Sequence, residues 1–187
     1  GRIVGLVTQG SSTCVPIATD VSYENVLLSV GLDDAEPDAA CTRDLISRVS
    51  PVGLPEAVDP TRSLEIAATY LDAEGGASLG ALASPGAGGG EQGAPSAAWI
   101  SDGEIALLTW GSSSRDCYPV ASSVTVDAGV ISVAMAEPAS DLVCTADFGP
   151  QGTVLMVDAA SDAGQYDLVL SGQIFDGSVR IPVLSAP

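Results

Sequence analysis

The chain lacks lysine and histidine altogether, and aromatic residues make up only 4% of its 187 positions. Without histidine there is no Ser-His-Asp or Cys-His constellation, and without lysine no Ser-Lys dyad or Schiff base. Zinc loses its usual nitrogen donor for the same reason, so neither a zinc site nor any other metal site or cofactor is expected. Gly-x-Ser-x-Gly elbows and phosphate-cradling loops are missing too, and the glycines from Gly86 to Gly93 have no strand-to-helix frame around them. Cys-x-x-Cys, the redox spacing, does not occur. No apolar run approaches the length of a membrane span, so a membrane-embedded chain is not expected. Positive charge is scarce: six arginines face 24 acidic residues, for a net charge of −18 at pH 7. Such a surface repels nucleic-acid phosphates and anionic head groups, which makes both poor partners.

What is present is a duplication. Thr8-Gln9-Gly10-Ser11-Ser12-Thr13-Cys14-Val15-Pro16 is echoed by Thr109-Trp110-Gly111-Ser112-Ser113-Ser114-Arg115-Asp116-Cys117-Tyr118-Pro119, and Cys41-Thr42-Arg43-Asp44 by Cys144-Thr145-Ala146-Asp147. Both cysteine intervals are 27 residues. Each copy therefore carries its own cysteine pair, and pairing Cys14 with Cys41 and Cys117 with Cys144 lets each copy fold as a unit. Residues 1–85 form the first repeat, 86–96 a Gly-rich linker, and 97–187 the second.

Short β-branched runs bounded by Gly, Pro, Asp or Ser read as strands: Leu6–Thr8, Val26–Val30, Val124–Val126, Val130–Val133 and Thr153–Val157. Asp102-Gly103 and Asp176-Gly177 read as two-residue hairpin turns. Leu64–Leu71 suits a helix by propensity, but its strand-like partner at 166–173 assigns it to a strand; Ala39–Val49 is compatible with a helical turn or two. Six to seven strands in each copy point to an all-β fold of two immunoglobulin-like sandwiches, each with one internal disulfide. The alternative is one pseudo-twofold sandwich or barrel. A tryptophan between the cysteines, part of the immunoglobulin signature, is absent from both intervals.

Evenly spaced cysteines in small β units favour an oxidising compartment. The opening at Gly1, close to a strand, suggests a mature or trimmed chain. Abundant Ala, Gly, Val and Asp with a single Asn fit a GC-rich genome; salt adaptation is the rival, but 16% charged residues is low for it. The Thr-Trp-Gly-Ser-Ser-Ser, Cys-x-Pro and Cys-Thr-Ala-Asp motifs, carried by Thr109–Pro119 and Cys144–Asp147 and by their weaker first copy, resemble uncharacterised exported proteins and lipoproteins of actinobacteria. That resemblance implies a secreted protein, or one attached to the outer face of the cytoplasmic membrane by a lipid anchor upstream of Gly1, and carries no activity with it. Gln9 departs from the motif by replacing the tryptophan.

Function is expected to be non-enzymatic: a binding or spacer module whose partner is an unknown protein or cell-wall component. Trp110, Tyr118 and Trp99 are the candidate anchors, because aromatics beside loops commonly dominate recognition. A carboxylate-only glycoside hydrolase is the enzymatic alternative, since two acids suffice for that chemistry. A calcium-stabilised adhesion module is another, resting on Asp33-Asp34-Ala35-Glu36-Pro37-Asp38, although the order of known calcium loops is absent there. The Gly-Ser-Ser stretches and Asp44 and Asp147 read most simply as turn residues that accept and donate local hydrogen bonds.

Overall fold

The computed structural model describes residues 2–35, 38–82, 93–136, 139, 141–161, 164–172, 175 and 177–185. The protein is all-β, with one 3-10 turn at Arg115–Cys117 among the described residues. Its chain divides into two compact units, Gly1–Gly88 with Pro187 and Gly89–Ala186.

The first unit holds β1 (Ile3–Gly10), β2 (Pro16–Glu24), β3 (Leu27–Asp34), β4 (Ile46–Gly53), β5 (Leu64–Tyr70) and β6 (Ala73–Leu79). β1 and β4 form an antiparallel pair, while β2-β3-β5-β6 form a four-stranded sheet in which β3 and β5 run parallel. Alternation sets the faces: Leu28, Val30 and Leu32 of β3 are buried with Val52, Leu64 and Ile66 in one apolar cluster. Val4 and Leu6 of β1 pack on this cluster but stay only partly buried.

The second unit repeats that pairing in β8 (Glu104–Gly111), β9 (Ala121–Asp127), β10 (Val130–Met135), β11 (Gly149–Met156), β12 (Asp167–Ser171) and β13 (Ser178–Leu184). β8 pairs with β11, β9 with β10, β10 with β12 in parallel, and β12 with β13. One more strand, β7 (Ser96–Ser101), lies antiparallel to β8 and parallel to β13, which makes a single sheet of order β11-β8-β7-β13-β12-β10-β9. Its core is correspondingly closed: Ile105, Leu107, Ile131, Leu168 and Leu170 are all 0% exposed.

Several expectations need correction. Ala39–Val49 contains no helix, because Ile46 onward enters β4, where both faces of the strand are covered from Ser47 to Ser50. The turn before β3 takes in Val26, which sits with Asn25 at φ 66° and 50°. Asp102-Gly103 does turn β7 into β8, with Gly103 at φ 80°. Asp176, and Gly86 to residue 92 of the linker, lie outside the described residues; Gly93–Pro95 is coil, and β7 begins at Ser96. No helix among the described residues is long and apolar enough to cross a membrane.

Candidate functional site

The two disulfides, Cys14–Cys41 and Cys117–Cys144, hold their Cα atoms 5.6 and 5.9 Å apart. Each joins the loop that leaves β1 or β8 to the loop that enters β4 or β11, so the two motifs of each copy meet at one end of its unit.

Around each disulfide the polar side chains are consumed locally. In the first unit the Ser12 N–H donates to Asp44 Oδ1 at 3.1 Å, the Thr42 hydroxyl donates to the same oxygen, and the Ser11 and Thr42 hydroxyls are hydrogen-bonded at 2.8 Å. The second unit repeats the set: Ser113 N–H to Asp147 Oδ1 at 3.1 Å, Thr145 hydroxyl to Asp147, and Ser112 with Thr145 at 2.6 Å. Thr42 and the Ser12 donors hold Asp44 down at a pKa of about 2; Ser113 and then Thr145 do the same for Asp147, also to about 2. Asp59 and Asp102 are lowered as well, by Thr61 and Ser161 respectively. All four carboxylates move away from the raised pKa that a general acid needs. The serines sit in turns, with the Thr13 and Ser114 N–H groups donating back to the Ser11 and Ser112 hydroxyls.

Beneath each loop lies a buried latch that the sequence did not disclose. Arg48, 4% exposed on β4, donates to the carbonyls of Cys14 at 2.5 Å and Gln9 at 3.3 Å and to the Thr8 hydroxyl at 3.2 Å, and its guanidinium lies 5.6 Å from the Tyr70 ring centre. Gln151 of β11, 3% exposed, fills the matching place: its amide donates to Ser112 O at 2.7 Å and its oxygen accepts from Thr109 at 3.3 Å. The latch explains the motif glycines. A Cβ on Gly10 would come within 2.6 Å of the Arg48 guanidinium carbon, and one on Gly111 within 3.0 Å of the Gln151 amide nitrogen. An arginine and a glutamine facing two equivalent glycines were the only sequence signal of this arrangement.

The three aromatic candidates separate. Trp99 is a core residue, 3% exposed and edge-on to Tyr166 at 5.6 Å; β7 points it inward, which removes it as a recognition anchor. Tyr118, beside Cys117, is half-buried. Trp110 alternates with the inward Thr109 and so lies on the outer face of β8, half-buried, stacked on Phe148 at 5.8 Å, with its indole N–H donating to Ala94 O at 3.2 Å. Phe148 itself is 61% exposed. Val120, Leu142 and Val143 are exposed beside the same disulfide, as Ile17, Leu45 and Ile46 are beside the other. Exposed apolar residues therefore flank the disulfide cysteines along the chain in both units.

Asp33 and Asp34 are neighbours on β3 and project to opposite faces. Asp33 accepts from Thr19 at 2.6 Å and Asp34 from the Tyr70 hydroxyl at 2.6 Å, which raises the Tyr70 pKa. Glu36 and Pro37 lie outside the described residues, and among those described no three His, Cys, Asp or Glu side chains cluster to hold a metal ion.

Compared with protein-family models, curated proteins and solved structures, the chain matches none.

Proposed function

We propose that this is a non-enzymatic binding protein of an oxidising, extracytoplasmic compartment, secreted or held at the cell envelope, which engages a protein partner through the apolar rims of its disulfide-tied loops. The observation that carries this reading is the division of labour at those loops. Asp44, Asp147 and the neighbouring serine and threonine hydroxyls are spent on one another, whereas Phe148, Val143 and Val120, with Ile17 and Leu45 in the other unit, are left exposed beside them. Rigid loops presenting apolar residues are a common form of recognition surface, since little ordering entropy is lost on contact. The Phe148–Trp110 stack supplies the larger anchor and belongs to the second unit alone, where Leu45 and Gln9 hold the equivalent places in the first. Two disulfides suit an exported protein.

The test compares the native chain with a Phe148→Ser, Val143→Ser variant for retention on an envelope preparation from the source organism. Both positions are exposed, so folding should persist, and retention should weaken by about tenfold or more, the loss expected of a central anchor. Equal retention of the two proteins would refute the reading.

A further inference from the structure

Acidity belongs to each unit and not only to the chain as a whole. The second unit, which holds the Trp110–Phe148 stack, carries half of the 24 acidic residues but only two of the six arginines, Arg115 and Arg180. Arg180 is paired with Asp167 at 2.7 Å. In the first unit Arg48 is 4% exposed beneath its loop, and the Arg2 guanidinium donates to the carbonyls of Leu54, Pro55 and Val58. Three of the six arginines are thus held by the chain's own structure. Carboxylates, by contrast, stand next to the exposed apolar residues of the loops. Asp116 is exposed and adjoins Cys117, Asp141 is exposed and directly precedes Leu142 and Val143, and the Cys117–Cys144 disulfide ties the two stretches together. In the first unit Asp44 adjoins Leu45, and Asp33 stands opposite Ile17 in the β2–β3 ladder.

Charge of one sign restricts what these loops can meet. At a net charge of −18 a second copy of this chain or an anionic polymer is repelled, and like charges brought face to face cost affinity. A neutral apolar face laid over Phe148 and Val143 would lower the dielectric around Asp116 and Asp141 without supplying a counter-charge. A basic face removes both costs and adds attraction at long range. We infer, resting on the docking role of these loops proposed above, that the partner of the second unit presents a basic protein surface, with lysines and arginines around an apolar pocket for Phe148. The two contributions separate by rate: the carboxylates draw the partner in, whereas Phe148 and Val143 set how long it stays.

The probe is an envelope preparation from the source organism, to which the labelled full chain is added while association and dissociation are followed at about 20 and about 500 mM sodium chloride. The native chain should associate about tenfold or more slowly at the higher salt, because screening removes the attraction. An Asp116→Asn, Asp141→Asn variant should associate about twofold or more slowly at the lower salt, dissociate as the native chain does, and match it at the higher salt. The Phe148→Ser, Val143→Ser variant should show the reverse, with faster dissociation and the native salt dependence of association. Association that ignores salt, or an Asn variant that matches the native chain at low salt, would overturn the inference; the docking role of the loops would survive either result if the serine variant still dissociated faster. Salt-sensitive binding kept in full by the serine variant would assign retention to charge alone and overturn both. Absence of binding by the native chain at either salt would do the same.

Discussion

Replacing Arg48 with Met keeps an unbranched stem in the core of the first unit but removes every donor from beneath the loop. The carbonyls of Cys14 and Gln9 and the Thr8 hydroxyl then lose partners beside a residue that is 4% exposed. The two charge-assisted bonds to carbonyls, at about 1.5–3 kcal/mol each, set most of the gross loss, and the longer bond to the Thr8 hydroxyl adds little. Relief from keeping a guanidinium desolvated offsets part of it, which leaves a net destabilisation of about 2–4 kcal/mol. Arg48→Gln, the solution the second unit uses at Gln151, keeps an amide donor and should cost about half as much. Both tryptophans, Trp99 and Trp110, lie in the second unit, so tryptophan fluorescence during urea unfolding follows that unit, while exchange of the Ser50 and Val52 amides follows the first. The latch account requires the loss in the exchange readout. A Met variant within about 0.5 kcal/mol of the native chain, or a Gln variant as damaged as Met, would refute it.

Trp110→Gln removes the stack on Phe148 and the bond to Ala94 O, and should cost about 1–3 kcal/mol by thermal unfolding; a loss well above that would mean deep core packing rather than cover of an outer face. Leu71 is 74% exposed at φ 53°, so Leu71→Asn should relieve left-handed strain and raise stability by about 0.5–1 kcal/mol, and a clear loss would contradict the turn geometry. Asp44 and Asp147 have folded pKa values below the unfolded carboxylate value, so their contribution is present above about pH 4 and fades as pH falls toward 2. An Asp44→Asn, Asp147→Asn variant should therefore lose less stability than the native chain between pH 5 and 2, and parallel acid curves would show that these carboxylates are not clamps. Reducing either disulfide should destabilise its own unit by about 3.5 kcal/mol, read as the shift of that unit's unfolding, since each closes a 27-residue loop.

The all-β class was legible because β-branched runs, turn residues and the repeated cysteine interval agree with one another. Asp102-Gly103 was readable as a hairpin since its chemistry suits a positive φ, whereas Asn25-Val26 was not, because valine is a poor residue for φ 66° and the run Val26–Val30 looks continuous. The second unit places Ala128 and Gly129 at the same turn, which shows what the fold prefers there. β6 was hidden by Gly75 and Gly76, which erase strand propensity. The parallel pairings β3–β5 and β10–β12 leave no local mark, since register between distant strands depends on packing rather than on neighbouring residues. At the loops, Asp44, Asp147 and the serines were readable as local acceptors and donors, but Arg48 was not singled out. Trp99 misled because aromatic type alone does not say which face of a strand it occupies.

The most direct test of the recognition reading is a photo-crosslinking residue placed at Phe148 of the full chain in its native cellular setting, with the same residue at Leu71 as the control. Both positions are exposed, at 61% and 74%. Binding through the loop rim predicts one discrete protein adduct from position 148 and none from position 71. No adduct at 148, or the same adducts from both positions, would contradict it.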